Sequence, residues 1–210
     1  KALCELANKY QCLTIVDAVT SLGGIELKVD DWGIDAIYSG SQKCLSCVPG
    51  ISPVSFSDRA VNLIQNRKTK VQSWFLDMNL IVGYWGSGAK RAYHHTAPVN
   101  SMYAMYESLL MLREEGLENA WQRHQRGHEA LAQGLEALNL TLAVDKNYRL
   151  PQLNVVEIPS GVNDADVRQR LLNEFNLEIG AGLGEFAGKV WRIGLMGYAC
   201  KPRNIDHCLA

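Results

Sequence analysis

Apolar positions change their spacing several times along the chain. Leu3, Leu6 and Ala7 recur at helical spacing and predict a helix over 2–10. Cys12-Leu13-Thr14-Ile15-Val16 follows as a nearly continuous apolar run, the pattern of a strand buried on both faces of a parallel sheet. Beyond the Gly23-Gly24 turn, a second strand is expected at 34–38 and a third at 51–56, behind Pro49-Gly50. A helix from Ser57 or Asp58 to about Arg67 comes next. Between Lys70 and Pro98 the pattern is irregular and rich in aromatics: Trp74, Phe75, Tyr84, Trp85 and Tyr93. Two helices then show clear periodicity. Met102, Met105, Tyr106, Leu109 and Leu112 share one face, which Gly116 ends. Leu117, Trp121, His124, His128, Leu131, Leu135 and Leu138 form the second stripe. Beyond Asn139 the order is strand (140–144), strand (153–158), helix (167–175), strand (177–179) and strand (190–195).

This order implies an α/β fold with two parts. Residues 1–116 read as part of an α/β domain with a mostly parallel sheet, and residues 117–210 as a small α+β domain.

Composition narrows the class without changing that picture. The chain has 210 residues, 47% hydrophobic and 20% charged, enough for one large domain or parts of two. A net charge of −1 gives no reason to expect a nucleic-acid partner. The one basic run, Arg67-Lys68-Thr69-Lys70, suits a solvated face. No stretch approaches the ~20 apolar residues of a membrane helix, and no signal-peptide pattern opens the chain. Six cysteines at this density fit reduced thiols in a cytoplasmic setting, with a peroxisomal or mitochondrial one as the alternative. Both ends read as cut: Lys1 opens directly into a helical pattern, and a helix is just beginning at 202–206.

Chemistry enters at two strand ends. In open α/β sheets ligands bind beyond the carboxyl ends of the strands. Asp17 follows the first strand, and Lys43 follows the second in Ser39-Gly40-Ser41-Gln42-Lys43. If the strands are parallel neighbours, carboxylate and amine open onto one sheet edge. That pairing suits pyridoxal phosphate, where a Lys forms a Schiff base and an Asp keeps the pyridine nitrogen protonated. The pattern alone equally suits a turn aspartate and a surface lysine.

Four blocks decide between these. They are Asp17-Ala18-Val19-Thr20-Ser21-Leu22-Gly23-Gly24, Tyr38-Ser39-Gly40-Ser41-Gln42-Lys43, Tyr93-His94-His95-Thr96-Ala97-Pro98 and Lys189-Val190-Trp191-Arg192-Ile193-Gly194-Leu195. In this order the chain closely resembles the alanine–glyoxylate and serine–pyruvate aminotransferases, class V enzymes of fold type I. The resemblance implies pyridoxal 5'-phosphate on Lys43, with Lys43 also shuttling the proton between substrate carbon and cofactor. It implies Asp17 on the pyridine nitrogen, Val19 against a ring face and Gln42 on the phenolic oxygen. Tyr93 and Thr96 resemble residues that reach the phosphate of the neighbouring subunit, so a homodimer is implied. Arg192 resembles the arginine that binds the substrate carboxylate, and its fork has the geometry for that. The implied reaction passes an amino group from alanine or serine to glyoxylate or pyruvate. The family's phosphate-binding turn and ring-stacking aromatic belong before Lys1, and a short C-terminal helical tail is expected beyond Ala210.

Other signals fit poorly. Cys44-Leu45-Ser46-Cys47 lacks the second pair of a zinc site and the helix start of a redox site. His124 and His128 have zincin spacing, but Gln125 stands where Glu is needed; satisfied interior histidines are expected, and no metal. Gly180-Ala181-Gly182-Leu183-Gly184 precedes a strand, so it reads as a flexible turn near the substrate entrance. Two alternatives remain. One is a related desulfurase or lyase, which would carry His before the lysine where Gln42 stands. The other is a catalytically silent fragment.

Overall fold

A computed structural model gives the fold and describes residues 1–85 and 92–210. Residues 86–91, within the aromatic-rich segment, lie outside the described residues. Two three-stranded sheets organise the chain.

In the first sheet β1 (Ile15–Asp17) pairs in parallel with β2 (Ala36–Tyr38), which pairs antiparallel with β3 (Val54–Phe56). All three strands are shorter than the apolar runs that predict them. The helix α1 (Ala2–Lys9) leads into this sheet, and α2 (Asp58–Gln65) leaves it, capped by Ser57 Oγ accepting from Ala60 N–H. The core here is small: Cys4, Ala18, Ile34 and Ile37, flanked by Val16, Leu22 and Trp32. One expectation fails. The strand at 12–16 is not buried on both faces, because Ile15 is 76% exposed and nothing among the described residues covers that side of β1.

The aromatic-rich segment contains a helix that the sequence pattern does not reveal, α3 (Met78–Trp85). Its apolar residues run almost all round, so no 3.6-residue stripe marks it. Next come α4 (Val99–Glu115) and α5 (Leu117–Ala137), separated at Gly116, whose φ of +84° suits glycine. The face predicted for α4 is only partly buried. Met105 and Ser108 turn inward, while Met102, Tyr106 and Leu109 stay exposed with no cover among the described residues. The α5 stripe is buried from Ala120 to Leu135, with Leu117 and Leu138 exposed at its ends.

The second sheet has the order β4-β6-β5, all antiparallel: β4 (Leu153–Glu157), β5 (Gly180–Ala181) and β6 (Val190–Gly194). The helix α6 (Asp164–Phe175) joins β4 to β5, and α7 (Pro202–Leu209) packs on α5. Leu131 and Leu135 of α5, Val156, Ile179, Trp191, Ile193 and Ile205 form the larger core. The strand predicted at 140–144 reduces to one bridge, Leu142 to Val156. The strand predicted at 177–179 begins later, at Gly180. Asn176 turns left-handed to end α6, and Leu177 N–H bonds back to Leu171 O, so pairing with β6 starts only beyond the turn. Of the segment 180–184 expected as a turn, Gly180–Ala181 is edge strand. At the C-terminus α7 is a formed two-turn helix with Pro202 at its start. No helix among the described residues is long and apolar enough to cross a membrane.

The two histidines of α5 are interior and satisfied. His128 Nδ1 pairs with Asn154 Oδ1 at 2.6 Å. His124 is fully buried; Nδ1 faces Ala120 O at 2.7 Å and Nε2 accepts from Gly197 N–H at 2.9 Å. The partners fix the neutral tautomer, with the proton on Nδ1. Burial pulls the His124 pKa below its usual value. The unfolded chain therefore takes up this proton at a higher pH than the folded one. Stability from His124 is complete above the unfolded value of about 6.5 and is lost as pH falls below it. The melting temperature should drop between pH 7.5 and 5.5 in calorimetry, and His124→Gln should flatten that part of the profile.

Candidate functional site

The parallel pairing of β1 with β2 sets Asp17 directly beside Tyr38. Successive residues of a strand alternate faces, so register partners project to the same side. Tyr38 donates its hydroxyl to Asp17 Oδ2 at 2.9 Å, and Val19 N–H donates to Asp17 Oδ1 at 2.8 Å. The hydrogen bond to Asp17 raises the Tyr38 pKa above the ordinary phenol value. The Asp17 carboxylate is thus held in one rotamer at the exposed end of the strand, with lone pairs left for a further donor.

Beyond Tyr38 the chain forms a tight arch that carries Lys43. Ser39 N–H and Ser41 N–H bond to Pro53 O and Ile51 O, at 2.9 and 3.0 Å. Ser39 Oγ donates to Ala18 O, and the fully buried Ser41 Oγ donates to Val48 O. Cys47 N–H closes onto Ser41 O at 3.0 Å, and Ser46 N–H onto Lys43 O at 2.9 Å. The two serines flanking Gly40 are structural hydroxyls, Ser39 tying the loop to the Asp17 turn and Ser41 closing the loop on itself. The Lys43 side chain makes no hydrogen bond or ion pair among the described residues, and the residue is half-buried. Neighbouring Cys44 ties the arch to the Asp17 turn, its thiol donating to Thr20 O at 3.4 Å. Burial pushes that thiol up to about 11, so it stays protonated and inert at neutral pH. All six cysteines are free, and no group of three or more His, Cys, Asp or Glu among the described residues could hold a metal ion.

Val19 and Gln42 approach each other across Gly40. A Cβ on Gly40 would stand 3.0 Å from Gln42 Oε1 and 3.6 Å from Val19 Cγ1. Asp17, Val19, Gln42 and Lys43 therefore share one sheet edge. Arg192 lies on β6, opposite in face to the buried Trp191 and Ile193. Its Nε donates to Ala181 O at 2.7 Å; its two terminal nitrogens make no hydrogen bond and no ion pair among the described residues. Tyr93 and Thr96 are exposed and bonded to each other, hydroxyl to hydroxyl at 2.7 Å, without a bond to the Lys43 arch.

Two further residues belong to the arrangement, and the sequence motifs assign a role to neither. Gln152, fully buried ahead of β4, donates Nε2 to Thr20 O at 3.0 Å, and Gly24 leaves space for it, since a Cβ there would come within 2.5 Å of that amide. Tyr38 is the other. Parallel pairing of two predicted strands sets the ends of both side by side, and that register is the signal that finds it; Gln152 has none, because its partner lies 132 residues away.

The site can be tested for a pyridoxal phosphate fit on its own donors. A half-buried amine without a partner, a carboxylate oriented by two donors on the adjacent strand and an arginine fork with free ends match an aldehyde, a ring nitrogen and a carboxylic acid. The donor set fits.

The family model for aminotransferase class V matches residues 1–200. The alanine–glyoxylate aminotransferase of Callithrix jacchus is 47% identical over 96% of this chain and 49% of its own length. The (S)-ureidoglycine–glyoxylate transaminase of Bacillus subtilis is 37% identical over 100% of this chain and 54% of its own. The crystal structure of an alanine–glyoxylate aminotransferase from Nostoc sp. superimposes with a TM-score of 0.96 at 51% identity, covering 100% of this chain and 55% of that one. The chain spans about half the length of the curated relatives it matches.

Proposed function

The chain belongs to the class V aminotransferase family, with the architecture of fold type I, and from that premise we propose that its full-length protein is a pyridoxal-phosphate-dependent transaminase. The reaction passes an amino group from a small donor, alanine or serine, to a small 2-oxo acid, glyoxylate or pyruvate. The observation that carries this is the unpartnered Lys43 amine on the arch that follows β2, at the same sheet edge as the oriented Asp17 carboxylate that ends β1.

Bound there, pyridoxal phosphate supplies an electron sink and a carrier for the amino group. Lys43 holds it and moves a proton at the substrate α-carbon, which needs an amine that no acid ties up. Asp17 holds the proton on the ring nitrogen; its charge-assisted hydrogen bond is worth roughly 1.5–3 kcal/mol. Val19 covers one ring face, and Gln42 donates to the phenolic oxygen. Arg192 receives the substrate carboxylate on its two free nitrogens, already braced through Nε by Ala181 O. Tyr93 and Thr96, exposed and paired with each other, serve the phosphate of a partner subunit in a homodimer. Residues 1–116 are the C-terminal portion of the large domain and 117–210 the small domain. A desulfurase or lyase reading loses support at Gln42, since that chemistry wants an imidazole there.

Borohydride treatment of the full-length protein with pyridoxal phosphate should fix a pyridoxyl mass on the Lys43 peptide alone; a mass elsewhere, or none, overturns the proposal. In Asp17→Asn that label should persist while turnover falls roughly 10- to 100-fold, the equivalent of the lost charge-assisted bond; near-normal turnover removes Asp17 from its role. Arg192→Ala should raise KM for both acids about 100-fold, within the range for breaking a buried charged pair, with cofactor affinity little changed. Steady-state kinetics and cofactor titration read this out.

A further inference from the structure

The Lys43 arch does not support itself. Ser46 occupies a left-handed conformation at φ +60° without being glycine, a position that costs energy unless its surroundings hold it. What holds it comes from the far end of the chain. Tyr198 N–H donates to Ser46 Oγ at 2.7 Å, and Ser46 N–H in turn donates to Lys43 O at 2.9 Å. Gly197, also left-handed at φ +55°, lies directly against this residue; a Cβ on it would overlap Ser46 Oγ and stand 2.8 Å from Cys44 O. Only glycine fits there, in both conformation and space.

The backbone of Gly197 is gripped from α5 by two consecutive residues. His124 Nε2 accepts its N–H at 2.9 Å, and Arg123 Nη1 donates to its carbonyl at 2.6 Å. Arg123 is itself locked by a two-pronged pairing with Glu115, at 2.5 and 2.8 Å, and α4 adds Ser108, whose hydroxyl donates to Leu45 O. Both polar groups of one buried glycine peptide are thereby satisfied by side chains, an arrangement that fixes its position against the arch.

We infer that His124 is a positioning residue for Lys43, acting through Gly197 and Ser46 to hold the arch from below. It touches neither cofactor nor substrate. The inference rests on reading Lys43 as the cofactor-bearing lysine, and it adds that the amine's placement depends on a buried imidazole 81 positions further along the chain.

The test is hydrogen–deuterium exchange on the full-length protein, paired with the rate at which borohydride-trappable cofactor is lost on dilution. His124→Leu removes the acceptor and leaves Gly197 N–H unsatisfied; amides of 43–48 and 197–200 should exchange roughly tenfold faster, the scale of an orphaned buried donor. Cofactor loss should accelerate alongside. In His124→Gln the side-chain oxygen can reach the place of Nε2, and both readouts should return most of the way to wild type. Ser46→Ala cuts the link without touching α5 and should give roughly threefold faster exchange in 43–48, so the test stands even where His124→Leu fails to fold. Amides of β4 and β6 serve as the reference for general loosening. Unchanged exchange at 43–48 in Ser46→Ala, or a rise shared equally by β4 and β6, overturns the inference. A pyridoxyl label missing from Lys43 in wild type instead overturns the functional reading, while the exchange data still decide whether His124 holds the arch.

Discussion

Everything at this site depends on three residue pairs of parallel strand. The ladder of Ile15, Val16 and Asp17 against Ala36, Ile37 and Tyr38 is short, yet its register determines which side chains meet. A slip of one residue would turn Asp17 to the opposite face and part it from Tyr38. Parallel pairing also requires a crossover, here the segment 18–35, whose closure is secured at the far end by a buried carboxylate. Asp35 accepts from Thr14 N–H at 3.0 Å and from the hydroxyls of Thr14 and Ser57, with Arg59 Nη1 at 3.5 Å. A buried, charged group is costly unless satisfied in this way. One end of the ladder is thus a fully bonded anchor, and the other presents a carboxylate with capacity to spare.

Around that ladder the polar groups divide by task. Ser39, Ser41, Cys44 and Ser46 spend their hydrogen bonds within the fold, whereas the Lys43 amine and the terminal nitrogens of Arg192 spend none among the described residues. Rigid support next to unspent donors is what preorganised binding requires, since little reorganisation remains when the ligand arrives. Exposed apolar surface completes the picture. Ile15 and the Met102–Tyr106–Leu109 side of α4 lack cover within a chain about half as long as its relatives, the surface a neighbouring segment or subunit would bury.

Much of this was legible in the residues. The opening helices and strands, the α5 stripe and the interior histidines follow from periodicity, and the condition for Asp17 and Lys43 to share an edge, parallel neighbouring strands, is met. What escaped did so for definite physical reasons. The α3 helix is apolar on nearly every side and so lacks a stripe. Strand ends at 140–144 and 177–179 gave way to turn chemistry, above all the left-handed Asn176. The exposure of the α4 face was not legible, because periodicity reports amphipathicity without saying what stands opposite. Gln152, Gly197, His124 and Tyr198 act through contacts across 73 to 152 residues, which no local pattern encodes.

Those long spans have a consequence during synthesis. The Lys43 arch leaves the ribosome ahead of its brace, because the residue that donates to Ser46 follows it 152 positions later. At about 5–20 residues per second, that is roughly 8–30 seconds of translation with the arch unbraced. A nascent chain stalled or truncated before Tyr198 would own its lysine, its aspartate and the local bonds of the arch, while Ser46 still lacked its brace. Completion of the C-terminal turn, not emergence of the motif, marks the moment at which this half of the site can become competent.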